Sequence, residues 1–322
     1  MRVLVTGGAG FIGSNYVRHV IGLVGDEAID GVTIFDSFTY AGREETIRDV
    51  LEDPRVRLVR GDICDREGLA GAMAGHDAVA HFAAESHVDR SIVGPDAFVR
   101  TNCDGTNVVM DVARQAGVDR VLHVSTDEVY GSIATGSFAE TDALGPRSPY
   151  SASKAGSDLI ALSYVATFGL PVIVTRSSNN YGPFQFPEKV IPLFTTNLLR
   201  GRPVPLYGDG GNERDWLHVS DNCAALHLAL CKGSPGTVYN VASQQHLTNV
   251  ELSERLVALC GADRSLIERV PDRLGHDRRY SVTTDRIEAL GWSPRWSLDV
   301  GLEATVAWYR ENEWWWAPLA AA

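Results

Sequence analysis

Six short apolar runs rich in β-branched residues, at 3–6, 32–35, 56–59, 78–82, 121–125 and 172–175, recur through the first 180 residues with stretches of helix length between them. Runs without a polar alternation fit strands buried on both faces. Such strands, separated by helices, make a doubly wound α/β architecture: a parallel sheet between two helical layers, with ligands received beyond the carboxyl ends of the strands. After Tyr181-Gly182-Pro183 the alternation weakens, and Pro203, Pro205, Gly208-Asp209-Gly210-Gly211 and Pro271 mark frequent turns. We expect residues 1–180 to form the sheet domain and 181–322 a smaller, mostly C-terminal substrate-binding lobe. Some late segments are expected to return to the first domain, with a cleft shared between the two.

The first run passes directly into Thr6-Gly7-Gly8-Ala9-Gly10-Phe11-Ile12-Gly13, with a helical pattern from Ser14. Gly7, Gly10 and Gly13 have the spacing of a dinucleotide loop, whose bare backbone approaches a pyrophosphate at the positive end of the following helix. A plain strand-to-helix turn is the structural alternative, but the context fits on both sides and makes the sheet Rossmann-type. The second run ends at Asp36, about 20 residues beyond Gly13, where a carboxylate accepts hydrogen bonds from the adenosine ribose and repels a 2′-phosphate. NAD is therefore expected over NADP, although Arg43 and Arg60 are near in sequence. Asp62, after the third run, suits either the adenine end or a cap on the next helix.

Tyr150-Ser-Ala-Ser-Lys154 sets a tyrosine and a lysine one helical turn apart. A neighbouring ammonium and a positive nicotinamide ring both favour a phenolate, which makes such a tyrosine a base; alone, the pattern describes an exposed helical pair. The fifth run ends in Ser125-Thr126-Asp127-Glu128 at the ligand edge. Hydride transfer needs one base, whereas elimination of water also needs an acid for the leaving hydroxyl and a base for the neighbouring carbon, and Asp127 with Glu128 supplies both. The alternative is one helix cap and one solvated carboxylate. Glu85, in Ala83-Ala84-Glu85-Ser86-His87-Val88-Asp89-Arg90, also falls at this edge and is expected to touch sugar hydroxyls, against a loop whose charges pair among themselves.

The net charge of −12 argues against a nucleic-acid or anionic-membrane surface. Five cysteines form no C-x-x-C pair and nine histidines no H-E-x-x-H, so neither a disulfide framework nor a metal site is expected. No stretch has the length of a signal-peptide core or membrane span, and a cytoplasmic location is expected.

Taken together, GGAGFIGS from Gly7, DSFTYAG from Asp36, AAESHVDRSI from Ala83, STDEVYG from Ser125, SPYSASKAGSD from Ser148, NNYGPFQFPEKVIPLF from Asn179, PLYGDGGNERDWLHVSD from Pro205 and RLGHDRRYS from Arg273 cover most of the chain. In these stretches the sequence resembles the extended short-chain dehydrogenase/reductases and, among them, the dTDP-glucose 4,6-dehydratases. The Thr-Asp-Glu triplet separates that group from the related epimerases and reductases. The resemblance implies NAD recycled within one turnover. Tyr150, tuned by Lys154, takes the C4 hydroxyl proton as hydride leaves C4, with Thr126 on the C4 oxygen. Glu128 then removes the C5 proton while Asp127 protonates the departing C6 hydroxyl, and hydride return to C6 gives dTDP-4-dehydro-6-deoxy-glucose.

The same likeness places Phe11, Ile12, Ser37, Thr39, Gly42, Ile63, Phe82, Ala83, Ala84, Ser125 and Asn180 beside the cofactor. It places Ser86, Asn179, Glu188, Lys189, Val190, Pro205, Tyr207, Arg214, Asn249, Arg273, His276 and Tyr280 on the nucleotide sugar, with lobe packing the alternative for Tyr207 and Tyr280. It also implies a homodimer through helices beginning near Pro95 and Tyr150, with Leu159, Leu162 and Val165 as contacts, or else as core residues of one subunit. Arg43 stands where asparagine is common in the family, and Ser177 where cysteine is frequent. The tail from Trp308 to Trp316 reads as an amphipathic helix whose aromatics bury against the body. The rival readings are dehydration of a GDP-, CDP- or UDP-sugar, a nucleotide-sugar epimerase, and a non-catalytic NAD sensor; the acid–base pair counts against the last two.

Overall fold

A computed structural model of the chain describes residues 1–24, 29–272 and 275–319, so Arg273 lies outside the described residues. In chain order the strands are β1 (Arg2–Thr6), β2 (Gly31–Asp36), β3 (Val56–Arg60), β4 (Ala78–His81), β5 (Arg120–Thr126), β6 (Val172–Ser177), β7 (Asn179–Tyr181), β8 (Val204–Tyr207), β9 (Glu213–His218), β10 (Val238–Val241), β11 (His246–Thr248) and β12 (Ile267–Val270). Seven of them form one sheet in the order β10-β6-β5-β4-β1-β2-β3, parallel at every pairing. The expected doubly wound α/β sheet is present. Its seventh strand, β10, comes from well beyond residue 181, so the chain returns to the sheet after building part of the lobe.

The six apolar runs are β1 to β6. Consecutive residues of β1 feed opposite layers: Val3 and Val5 pack with Val17, Ile34 and Leu226, whereas Leu4 packs with Phe35, Met73, Val109 and Val172. Each fully buried aliphatic side chain contributes roughly 1.5–3 kcal/mol, and a strand with apolar side chains on both faces is held only where helices cover both. β3 departs from the expectation. It is the edge strand, with Arg57 and Arg60 exposed and Val56, Leu58 and Val59 half-buried, because only β2 flanks it.

The helix after β1 starts at Phe11 rather than Ser14. Gly10, with φ −80° and ψ 179°, is its cap, and Gly13 falls inside the first turn. The lobe contains a three-stranded sheet, β11-β9-β7, and the parallel pair β12-β8, over a core of Phe194, Leu198, Trp216, Leu252 and Leu302. Among the described residues no helix is long and apolar enough to cross a membrane.

The tail is a helix, Leu298–Glu311, broken at Asn312 and followed by the short turn Glu313–Trp316. The break puts Trp315 and Trp316 inside, 1% and 2% exposed, and leaves Trp314 52% exposed. Trp315 Nε1 donates to Thr46 Oγ1 at 3.1 Å and its carbonyl accepts from Arg43 Nη1 at 2.9 Å. Arg43 thus anchors the tail to the loop after β2. Trp315→Ala is expected to cost about 3–5 kcal/mol in urea denaturation; a loss below about 1 kcal/mol would show that the tail is not part of the folded core.

Candidate active site

The loops after β1 and β4 meet at the middle of the large sheet, where the strand order reverses and an open α/β sheet leaves a crevice. Gly7 has φ +72°, and a Cβ on it would lie 2.6 Å from the Ala83 nitrogen; a Cβ on Gly13 would lie 2.2 Å from the Gly7 oxygen. Both positions exclude a side chain because backbone occupies the space. Asp36 ends β2 with Oδ2 accepting from the Ala9 N–H at 2.9 Å and Oδ1 from the Phe38 N–H at 2.8 Å. Burial raises its pKa, and these two N–H groups oppose the rise. Its remaining lone pairs are available to hydroxyl donors. Asp62 does not cap the next helix, because Asp65 does so by accepting from the Gly68 N–H; Asp62 instead receives the Cys64 N–H at 2.9 Å.

The helix Pro149–Phe168 is started by a capping box: Ser148 Oγ accepts from the Ser151 N–H at 3.1 Å, and Ser151 Oγ from the Ser148 N–H at 3.0 Å. Pro149 supplies the fixed φ of a first helical residue. Tyr150 therefore sits in the first turn, at the end whose dipole favours negative charge. Lys154 follows one turn later, 5% exposed, with Nζ donating to the Val124 carbonyl at 2.8 Å. Burial lowers its pKa to about 8, against the influence of Asp158. The phenol of Tyr150 is pushed up by burial and then by the Glu128 charge, and a hydrogen bond with Thr126 opposes this. The chain's own groups thus hold Tyr150 protonated, contrary to the lowering expected from Lys154.

β5 delivers the acidic pair. Thr126 Oγ1 accepts from the Glu128 N–H at 3.3 Å and caps the short turn Asp127–Tyr130, so neither carboxylate is the cap. Asp127 is 3% exposed and Glu128 half-buried. Burial, Glu128 and Asp215 together hold the Asp127 carboxyl well above its ordinary range. A carboxyl shifted in this direction is suited to act as an acid.

A cavity of about 340 Å³ joins these groups. Every residue expected beside the cofactor lines it, from Gly7, Gly10, Phe11, Ile12 and Gly13 through Asp36, Ser37, Thr39, Gly42, Asp62, Ile63, Phe82, Ala83 and Ala84 to Ser125 and Asn180. So do Thr126, Asp127, Glu128, Tyr150 and Lys154, together with Glu85, Ser86, Asn179, Glu188 and Lys189. Five buried side-chain oxygens on this wall, Ser125 Oγ, Asp127 Oδ2, Asn179 Oδ1, Asn180 Oδ1 and Gln185 Oε1, have no hydrogen-bond partner within the protein. Buried polar atoms left this way fit a polar ligand, and the bare glycine cradle beside Asp36 fits a dinucleotide.

Val190, Pro205, Tyr207, Arg214, Asn249, His276 and Tyr280 do not line this cavity. Pro205 and Tyr207 lie on β8, and the Tyr207 ring is edge-on to His276 at 6.3 Å. The Arg214 guanidinium stands 4.3 Å over the Tyr280 ring and donates to the Asp277 carbonyl at 2.8 Å. This second group adjoins the cavity at the acidic pair: the Glu128 charge adds to burial in raising Tyr280, and Arg214 opposes the rise at Asp127. Asn249 and Val190 each begin a lobe helix.

Two contributors carried no signal in the sequence. Asp215 is 1% exposed, and its carboxylate accepts from Ser178 Oγ at 2.6 Å and from the Ser243 N–H at 2.9 Å. Asp158 lies one turn beyond Lys154, wholly buried, with His123 Nε2 at 3.2 Å and Arg176 Nε at 2.9 Å. Both act through partners far away in the chain.

Known proteins are similar to this chain over most of its length. The family model described as GDP-mannose 4,6 dehydratase matches residues 4–305. A dTDP-glucose 4,6-dehydratase of Actinoplanes sp. is 54% identical over 319 residues, covering 98% of this chain and 100% of that protein. One from Streptomyces niveus is 50% identical over 321 residues, covering 99% and 96%. The crystal structure of DesIV, a dTDP-glucose 4,6-dehydratase of Streptomyces venezuelae with NAD and dTDP bound, superposes with a TM-score of 0.97 at 54% identity, covering 99% of this chain and 100% of that one.

Because Asp127 must be protonated to act as an acid and its pKa is raised, that capacity is expected to persist through neutral pH and to fall only on the alkaline side. Infrared difference spectra between the parent protein and Asp127→Asn should show a protonated carboxyl band at pH 7. A band confined to pH values below about 5, as for an ordinary carboxylate, would overturn the assignment.

Proposed function

Since the chain belongs to the GDP-mannose 4,6-dehydratase family, we propose that it converts dTDP-glucose into dTDP-4-dehydro-6-deoxy-glucose and water, with tightly held NAD recycled in each turnover, as a step of deoxysugar biosynthesis. The observation that carries the proposal is the buried Asp127 carboxyl beside Glu128, in one cavity with Tyr150, Lys154 and the glycine loop. An oxidoreductase or epimerase has no use for the added acid. The thymidine nucleotide is supported by the close relatives that use it.

Gly7, Gly10 and Gly13 would hold the pyrophosphate of NAD, Asp36 its adenosine ribose, and Tyr150 and Lys154 its nicotinamide end. When bound, NAD accepts hydride from C4 of the sugar and later gives it back at C6. The residues of the chain move the protons. Tyr150 would receive the C4 hydroxyl proton as a phenolate; the Thr126 hydroxyl favours that form, and because the chain's other groups hold the phenol protonated, the positive nicotinamide ring would have to supply the rest. Lys154 remains an ammonium at neutral pH because its pKa stays at about 8. The C4 ketone acidifies C5, where half-buried Glu128 takes the proton. Asp127 donates to the C6 hydroxyl, which leaves as water. Proton return to C5 by Glu128 completes the product without an external reductant, and the cycle closes when the proton taken up by Tyr150 is given to solvent and Asp127 regains one from it.

Mass spectrometry of the protein incubated separately with dTDP-glucose, GDP-mannose, CDP-glucose and UDP-glucose is expected to show loss of one water from the dTDP sugar, without net reduction of cofactor. Asp127→Asn should slow elimination about 100-fold or more and accumulate reduced cofactor transiently. Dehydration of another nucleotide sugar alone would overturn the substrate, and an unimpaired variant would overturn the acid.

The protein is further proposed to act as a homodimer through the helix Pro149–Phe168 and the neighbouring helical run that begins at Pro95. Support comes from apolar side chains that these adjacent helices leave outside: Leu159 at 62% exposure, Phe168 at 56% and Val99 at 53%. Leu162 and Val165 are half-buried against the large-sheet core. Light scattering should give a dimeric mass for the parent protein and a monomeric one for Leu159→Arg. A monomeric parent at micromolar concentration would overturn the proposal.

A further inference from the structure

Tyr40 does not line the cavity, yet it joins the loops that do. It lies in the loop after β2, between Thr39 and Ala41, both on the cavity wall. Its hydroxyl donates to Glu188 Oε1 at 2.9 Å, crossing from that loop to the one after β7. The Arg90 guanidinium, carried by the helix that follows the β4 loop, lies 3.6 Å from the centre of the Tyr40 ring, and Phe186 meets the ring edge-on at 5.4 Å. Next to Glu188, Lys189 Nζ donates to the Ser86 carbonyl at 2.8 Å, tying the β7 loop to the β4 loop directly. Three loops that rise from separate strands are thereby fastened to one another along one side of the cleft. Burial and the Glu188 charge keep the Tyr40 phenol protonated, so it remains the donor of this bond.

We infer that Tyr40 is a positioning residue for cofactor retention, its hydroxyl clasping the β2 loop to Glu188 so that the reduced dinucleotide stays in the cleft between the two hydride transfers. The inference rests on the reading proposed above. A reaction that removes hydride from one carbon and restores it to another fails whenever the reduced cofactor leaves midway, because the sugar is then left oxidised. Such an enzyme needs its cofactor to reside longer than a turnover takes. The clasp meets that need with a charge-assisted hydrogen bond, a cation stacked on an aromatic face and a lysine–carbonyl bond, none of which contacts the reacting carbons. Opening the β2 loop requires the first two to break together.

The test uses full-length Tyr40→Phe, which removes one oxygen and keeps the ring between Arg90 and Phe186. Release of NADH, followed without any sugar by fluorescence as excess NAD displaces it, is expected to be about tenfold faster than in the parent protein, in keeping with loss of a hydrogen bond to a charged group. Arg90→Gln should accelerate release too, through loss of the stacked cation. With dTDP-glucose present, Tyr40→Phe should shed free NADH, visible by its absorbance, at an unchanged KM for the sugar, whereas the parent sheds none. Unchanged NADH release in both variants would overturn the clasp. Faster release in a protein whose parent dehydrates no dTDP-glucose would uphold the clasp and overturn the reading on which it rests, so the two failures are distinguishable.

Discussion

Two backbones approach each other at the centre of the large sheet more closely than any side chain would allow. The turn after β1 lies against the segment after β4 at Gly7, and it folds back on itself at Gly13. With a methyl group at either position the loops would separate, and the crevice between them would lose its floor. The strand order makes this crevice the place where chain leaving β1 turns one way and chain leaving β4 the other. Everything that follows inherits its position from there. β5 brings Thr126, Asp127 and Glu128 alongside β4, and the helix Pro149–Phe168 lays Tyr150 and Lys154 over β5.

Once the crevice is set, its chemistry is decided by unequal solvation of similar groups. Asp36 is stabilised by two backbone N–H donors, whereas Asp127 is buried with two carboxylates as neighbours. Asp158 is buried as deeply as Asp127, but His123 and Arg176 keep its pKa low. Three aspartates thus take three states in one fold: a hydrogen-bond acceptor, a proton donor and a structural counter-ion. Beneath Lys154, Asp158 also links the helix to β6 through Arg176, which bonds Tyr130 Oη at 2.7 Å, and Tyr130 bonds Asn240 on β10. That chain of polar contacts crosses from the catalytic helix to the far edge of the sheet.

The sequence disclosed those parts of the molecule that local chemistry dictates. The six runs became six strands because a stretch such as Val3-Leu4-Val5 has apolar side chains for both faces. The dinucleotide loop was readable because three glycines in that spacing serve few other purposes. Where a feature depends on distant chain, the reading stopped. β10 looks like any short apolar stretch until β6 accepts it as a partner. Asp215 is an ordinary strand residue until Ser178 and Ser243 close over it. The phenol of Tyr150 responds to burial and to Glu128, a residue of another element, and its neighbour one turn away along the helix does not decide it. The uneven fate of the three consecutive tryptophans follows from a helix break at Asn312 that no local pattern announced.

The docking of Trp315 on Thr46 carries a consequence for how the chain comes into being. The two residues are 269 positions apart, and the loop that Trp315 braces is the one that follows Asp36 and bears Tyr40. A ribosome adds about 5–20 residues per second, so the first strands exist for many seconds before the aromatic turn that fastens their loop has been made. Through that interval the β2 loop has no brace, and the sheet also waits for β10 at its far edge. The far edge of the sheet is completed once Val241 has been made, and the β2 loop is braced only later, when the aromatic turn has emerged.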